Sequence, residues 1–191
     1  MSNGRSIPQG DAAEAWQDVM ARAFQCFALY HWRTRIHGDP RTRTDPAFAL
    51  LQNAALESSL MSIRDLDDFF ASRPGSRTDD IIAIDYGFPQ GRGFLSPDER
   101  DAINKKLAHL TYCAVHERRQ NYTQPNPRTW NNADLVNRAM AAFNQFLVHL
   151  ETVFFANDAA QHGLVRTANR SLNLTLQNLN TLARQELDFS A

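Results

Sequence analysis

Leu56, Leu60, Ile63, Leu66 and Phe70 recur three and four residues apart, and no proline or glycine interrupts them. With about 3.6 residues per helical turn, that spacing gathers all five on one stripe, which Leu51, Ala55 and Phe69 widen. The same period returns elsewhere. Trp16, Met20, Ala23, Phe27 and Tyr30 share one face, and Ile103, Leu107, Leu110 and Ala114 share another. Farther on, Leu135, Ala139, Ala142, Phe146 and Val153 run beside Val136, Met140, Phe143, Leu147, Leu150 and Phe154. So wide an apolar face belongs to a deeply packed helix. Stripes of this kind must bury one another, so the expected fold is all-α, an up-and-down bundle of about five helices.

Local signals set the boundaries. Asp11 with Glu14 three residues on suits the start of the first helix, and Gly38-Asp-Pro40 ends it. Asp45-Pro46 places an acid cap before proline at the first helical position, opening a helix that runs to about Ser72. Ser96-Pro-Asp-Glu99 is a capping box, from which the third helix continues to about Arg119. Pro125 and Pro127 fall in a connecting loop, and Asn131 caps the fourth helix. Residues 73–95 lack a helical pattern, which predicts a long ordered loop between the second and third helices. Within it Ile82, Ile84, Tyr86 and Phe88 alternate, as in an extended strip laid over a groove.

The domain expected from these signals spans 11–156, after a loose, polar segment 1–10. From 157 to 191 the character changes. Gly163 breaks the pattern, and Leu172, Leu176, Leu179 and Leu182 suit a further helix, loosely attached or used in a partner contact. The chain's 191 residues suffice for one proper core, and 43% hydrophobic content with twelve Phe excludes general disorder. A net charge of −1 gives no global field toward nucleic acid or membrane, so binding of that kind would need a local patch. No run of about 18 apolar residues is present, and the N-terminus lacks a signal-peptide core, so a cytoplasmic location with no membrane partner is expected. Both cysteines, Cys26 and Cys113, lie in helical patterns and are expected to be reduced, buried thiols.

Chemistry-bearing residues concentrate in two places. Lys105, His109, Tyr112 and Cys113 share a face of the third helix, with His116 close by. Glu57, Arg64 and Asp68 fall on a face of the second. Together they could supply an acid, a base and a cation for phosphodiester chemistry. The plainer reading makes His109 a structural tie to a carboxylate and pairs Arg64 with Asp68 at i,i+4. The second place is the densest basic patch, Arg33, Arg35, Arg41 and Arg43 with His31 and His37. It fits either a phosphate-binding surface or a solvated helix end. Asp79, Asp80 and Asp85 lack a metal-ligand spacing, and Gly87…Gly91-Arg-Gly93 lacks the ending of a phosphate loop, so no metal or cofactor is expected.

Glu57…Arg64-Asp-Leu-Asp-Asp-Phe-Phe70, Asp79-Asp-Ile-Ile-Ala-Ile-Asp85 and Ile103-Asn-Lys-Lys-Leu-Ala-His-Leu-Thr111 resemble, in that order, a group of uncharacterised bacterial helical proteins. That group in turn resembles the HEPN superfamily. The resemblance covers about residues 48–155. It implies an antiparallel bundle of four or five helices, frequently a homodimer, acting as a metal-independent ribonuclease or as an RNA- or nucleotide-binding partner. His109 matches the histidine of the HEPN ribonuclease motif. The motif's arginine would fall at Ala102, Ile103 or Asn104, so no arginine stands there. Asn104 could orient a phosphate by hydrogen bonding, and Arg64 from the neighbouring helix could supply charge. On that reading His109, Asn104 and Arg64 are the catalytic candidates of a degenerate site. Lys105, Arg33, Arg35, Arg41 and Arg43 are the phosphate-binding candidates. The alternative is a non-catalytic scaffold or dimerisation module, with His109 and Arg64 in structural roles.

Overall fold

The periodic stretches fold as helices. The computed structural model describes residues 7–71, 81–89, 91, 93–108 and 132–188. Among them are five α-helices and no strand, an all-α bundle. The helices are α1 (Gln9–Gly38), α2 (Pro46–Ala71), α3 (Pro97–Ala108), α4 (Asn132–His149) and α5 (Ala159–Asp188).

Contacts between α1 and α2 give their direction. Arg22 reaches Asp65 at 3.8 Å, Cys26 Sγ lies 4.0 Å from Ser59 Oγ, and His37 Nδ1 lies 2.6 Å from Gln52 Nε2. Numbers rise along one helix as they fall along the other, so the pair is an antiparallel hairpin. Asp39 begins the short 3₁₀ turn Pro40–Arg43 that links them, and Asp45 Oδ1 accepts the Ala47 N–H at 2.9 Å as the cap of α2. The core occupies one end of this hairpin. Trp16, Leu60, Ile63, Leu66, Ile103, Phe143, Phe146, Leu147, Leu150 and Leu172 are almost wholly buried. Residues 46–54 of α2 include no buried residue, so the hairpin tip extends past the core. Cys26 is buried and its thiol is pushed up to about 12 by desolvation, which keeps it protonated and unreactive. Cys113 lies outside the described residues.

The structure revises four expectations. Helix α1 starts at Gln9, with the Ala12 N–H on the Pro8 carbonyl at 2.9 Å, so Asp11 sits in its first turn and is not its cap. The middle of the α2–α3 connection is not an extended strip. Ala83–Tyr86 is a 3₁₀ turn closed by Gly87 at φ 67°, burying Ala83 and Tyr86 while Ile82 and Ile84 stay half-buried. Helix α4 ends in a π-turn, Leu150–Phe154, where the Phe155 N–H reaches the Leu150 carbonyl at 2.8 Å. The extra residue rotates the end of the helix, leaving Val153 62% exposed and Phe155 fully buried. Lastly, α5 begins at Ala159 and passes through Gly163, beside which nothing lies within 4 Å. Asp158 Oδ1 caps it by accepting the Ala160 and Gln161 N–H groups, each at 3.1 Å. Val165, Ala168 and Leu172 join the core, and Trp16 Nε1 donates to Gln161 Oε1 at 3.1 Å. The first half of α5 is therefore packed into the bundle rather than loosely attached. Among the described residues no helix is long and apolar enough to cross a membrane.

Candidate functional site

Among the described residues the one buried charged group, Asp67, gathers its partners where α3 begins. Asp67 of α2 is fully buried, and its Oδ1 accepts two backbone hydrogen bonds, from Phe94 N–H at 2.7 Å and Leu95 N–H at 2.8 Å. Its Oδ2 forms an ion pair with Nη2 of Arg100 on α3, whose side chain is 12% exposed. The chain reaches this carboxylate through Gly93, held at φ 75°, where a Cβ would run into Asp67. Arg138 of α4 closes the other side. It donates to the Phe94 carbonyl at 2.7 Å and to both Glu99 oxygens, at 2.5 and 3.1 Å, while its Nε stands 2.9 Å from Asp134. Glu99 is also a partner in the capping box read from the sequence: Ser96 N–H donates to it at 2.8 Å, and its own N–H reaches Ser96 Oγ at 3.2 Å. The Asp67 oxygens are thus engaged by three donors, which suits a latch fastening 93–100 between α2 and α4, not a proton carrier.

Electrostatics give this latch a pH dependence. Hydrogen bonding from Arg138, more than the opposing effect of burial, holds the Glu99 carboxyl below the ordinary range. A group depressed on folding stabilises above its unfolded pKa of about 4.3 and loses that contribution as pH falls through the folded value. Urea midpoints measured from neutral to acid pH are therefore expected to fall more steeply for wild type than for Arg138→Leu. Parallel curves would show that the pair adds no pH-linked stability.

The basic patch occupies the opposite end of the hairpin. Arg35 is exposed and Arg33 half-buried, its Nε buried with no hydrogen-bond partner. Arg41 is engaged locally. Its Nε and Nη2 grip Asp39 at 2.6–3.2 Å and its guanidinium lies 4.3 Å over the Phe48 ring. Hydrogen bonding to Arg41 pulls the Asp39 carboxyl down to about 2. Arg43 ends the 3₁₀ turn, and its side chain lies outside the described residues. Amid these cations Trp32 is 45% exposed.

Of the other predicted residues, Arg64 is half-exposed and pairs with Asp68 at 3.6 Å. Asn104 lies on α3 one turn past Arg100, its Oδ1 buried and with no hydrogen-bond partner. His109 lies outside the described residues, as does the side chain of Lys105. Arg64 stands twelve residues along α2 from Gln52, the neighbour of His37. Measured along α2, Arg64 thus lies ~18 Å from the level of His37, at the basic tip formed by the end of α1 and the 3₁₀ turn. The sequence alone assigns no role to Asp67, Arg138 or Trp32, and sets Arg100 aside as too far upstream of His109 to be the motif's arginine. A signal for Asp67 was present, since Leu60, Ile63, Asp67 and Phe70 succeed one another at intervals of three and four, placing a carboxylate on the apolar stripe. Compared with protein-family models, curated proteins and solved structures, the chain matches none.

Proposed function

We propose that this chain is a HEPN-like helical domain that binds single-stranded RNA at the tip of the α1–α2 hairpin. The observation carrying the reading is Trp32, 45% exposed on a helix end that also bears His31, Arg33, Arg35 and His37. An exposed indole offers a stacking face for a base, and flanking cations offer phosphate contacts without any sequence code. Arg35 is the phosphate contact best presented to solvent, whereas Arg41 is already held by Asp39. Residual cleavage at His109, with Asn104 and Arg64, is the extension of the same proposal that the family resemblance supplies.

The test is fluorescence anisotropy with a labelled single-stranded RNA over a salt series. Trp32→Ala is expected to weaken binding by about 1–3 kcal/mol, the worth of one stacked base. Arg35→Ala should flatten the logarithmic salt slope by about 0.7, the loss of one phosphate contact to a single strand. Absence of wild-type binding at low salt, or a Trp32→Ala affinity equal to wild type, would end the proposal. A second reading, the non-catalytic scaffold, draws support from Arg64. Its pairing with Asp68 on one helix face is the structural role that reading assigns it.

A further inference from the structure

Arg41 is fixed on one edge and one face and open on its other edge. Asp39 accepts hydrogen bonds from Nε and Nη2 at 2.6–3.2 Å, and the guanidinium lies 4.3 Å over the Phe48 ring. Asp39 is itself anchored, because its Oδ1 accepts the Arg41 backbone N–H at 2.9 Å and so begins the 3₁₀ turn. Carboxylate and ring together set the direction and plane of the guanidinium. A guanidinium carries five N–H donors, and the edge facing Asp39 uses two of them. The end-on edge, Nη1 with the second hydrogen of Nη2, enters no hydrogen bond among the described residues. The Arg41 side chain is 65% exposed even with Asp39 and Phe48 against it, which leaves that edge open to a ligand.

Two ligand chemistries suit such an edge: the oxygens of a phosphate, or two neutral acceptors in one plane. Charge decides between them. Asp39 stands against the same guanidinium, so an approaching phosphate meets the repulsion of the carboxylate as well as the attraction of the cation. Neutral acceptors escape that repulsion and still receive both hydrogen bonds. The side chain is also ordered beforehand, which lowers the entropy lost when a ligand binds. Among the bases, guanine presents two acceptors, O6 and N7, side by side on the edge that an arginine spans, whereas adenine sets a donor beside N7. Unpaired RNA leaves that edge accessible. Helix α1 ends at Gly38, six residues or ~9 Å past Trp32, and Arg41 follows in the turn, so both belong to one end of the hairpin. We propose that Arg41, oriented by Asp39 and stacked on Phe48, reads guanine in RNA bound at the hairpin tip. The inference rests on the RNA reading above and adds a base preference to it. Trp32 supplies stacking that any base satisfies, Arg41 supplies the discrimination, and Asp39 is a positioning residue.

The test is fluorescence anisotropy with labelled octauridine and with the same oligonucleotide carrying one guanosine, placed at each position in turn. At its best position guanosine is expected to tighten wild-type binding about 5- to 150-fold, the discrimination of one bidentate contact. Adenosine there should rank with uridine. 7-Deazaguanosine, which lacks the N7 acceptor, should lose most of the gain, and that comparison needs no variant. Arg41→Ala should erase the preference. Asp39→Asn keeps an oxygen for the turn but drops the charge that aligns Arg41. It should weaken the preference while tightening octauridine binding and steepening its salt slope, because Arg41 is released to phosphate. A purely structural Asp39 would lower both affinities in proportion, and that result overturns its positioning role. Wild type binding all the oligonucleotides alike overturns the inference and leaves the RNA reading standing, whereas wild type binding none of them ends both. Full affinity for 7-deazaguanosine, a preference for cytidine over guanosine, or a preference that survives Arg41→Ala also overturns it. If Arg41→Ala loses its helical circular dichroism, the 7-deazaguanosine comparison decides. Trp32→Ala should weaken octauridine and its guanosine form by the same factor, so stacking and base reading fail separately.

Discussion

Replacing Asp67 by Ala is expected to destabilise the fold by about 3–5 kcal/mol, read as a lowered urea midpoint at unchanged slope. Three donors lose their acceptor at once: the Phe94 and Leu95 N–H groups and the Arg100 guanidinium. Arg100 is then a nearly buried cation with no counter-charge, the costlier part of the loss, because water cannot reach in to replace the carboxylate. Total stabilities of single domains run about 5–15 kcal/mol, so one substitution would remove a large share. Asp67→Asn separates the contributions. It retains an oxygen for the two N–H groups but discards the charge, so it should fall between wild type and Asp67→Ala. Arg100→Met on the Asp67→Ala background should recover part of the loss by removing the orphaned cation. If Asp67→Ala shifts the midpoint by less than about 0.5 kcal/mol, the latch is not what holds 93–100 in place.

The latch also marks where the sequence was legible and where it was not. Helix starts carried by short-range chemistry were readable: Asp45-Pro46 and the Ser96–Glu99 capping box depend on residues within a turn of each other. The stripe of α2 was readable because burial follows the helical period, and Leu60, Ile63 and Leu66 are all buried. Asp67 was not read, although it sits on that stripe, because its partners lie 27 to 33 residues away, Phe94 and Leu95 in a stretch without a period of its own and Arg100 on the next helix. The π-turn was invisible for a related reason. A one-residue slip changes no local propensity, and only packing decides that Phe155 enters the core and Val153 leaves it. At α5 the cue was there, Asp158 with Gln161 three residues on, and Gly163 outweighed it. A glycine on an exposed helix face costs only about 1 kcal/mol relative to alanine, which three buried contacts offset easily. The basic patch was legible as composition only. That Arg41 is held by Asp39 while Trp32 faces solvent depends on how the chain turns at the hairpin tip.

Phe146→Ala is expected to be comparably severe, about 3–5 kcal/mol, for the opposite reason: it removes apolar contact rather than a charge partner. Phe146 is fully buried at the centre of an aromatic cluster. Its ring lies 5.1 Å from Phe69, 5.2 Å from Tyr86, 5.6 Å from Phe88 and 5.9 Å from Phe70, all edge to face. Tyr86 and Phe88 come from the 3₁₀ segment, Phe69 and Phe70 from α2, so this one side chain of α4 joins the connection to both helices. The segment has further anchors. The Tyr86 hydroxyl donates to the Ala12 carbonyl at 3.1 Å, and His149 Nε2 lies 2.8 Å from the Tyr86 carbonyl oxygen. Those polar contacts hold position only while the rings exclude water around them, because a bond open to solvent exchanges for water at little net cost. Loss of the ring should therefore show twice: as a lower global midpoint, and as faster amide hydrogen exchange confined to residues 82–88 under native conditions. Phe146→Leu, which refills most of the volume, should cost less than half as much and leave that exchange slow. Uniformly faster exchange across all helices in Phe146→Ala would mean that the cluster stabilises the bundle as a whole and does not specifically seat the connection.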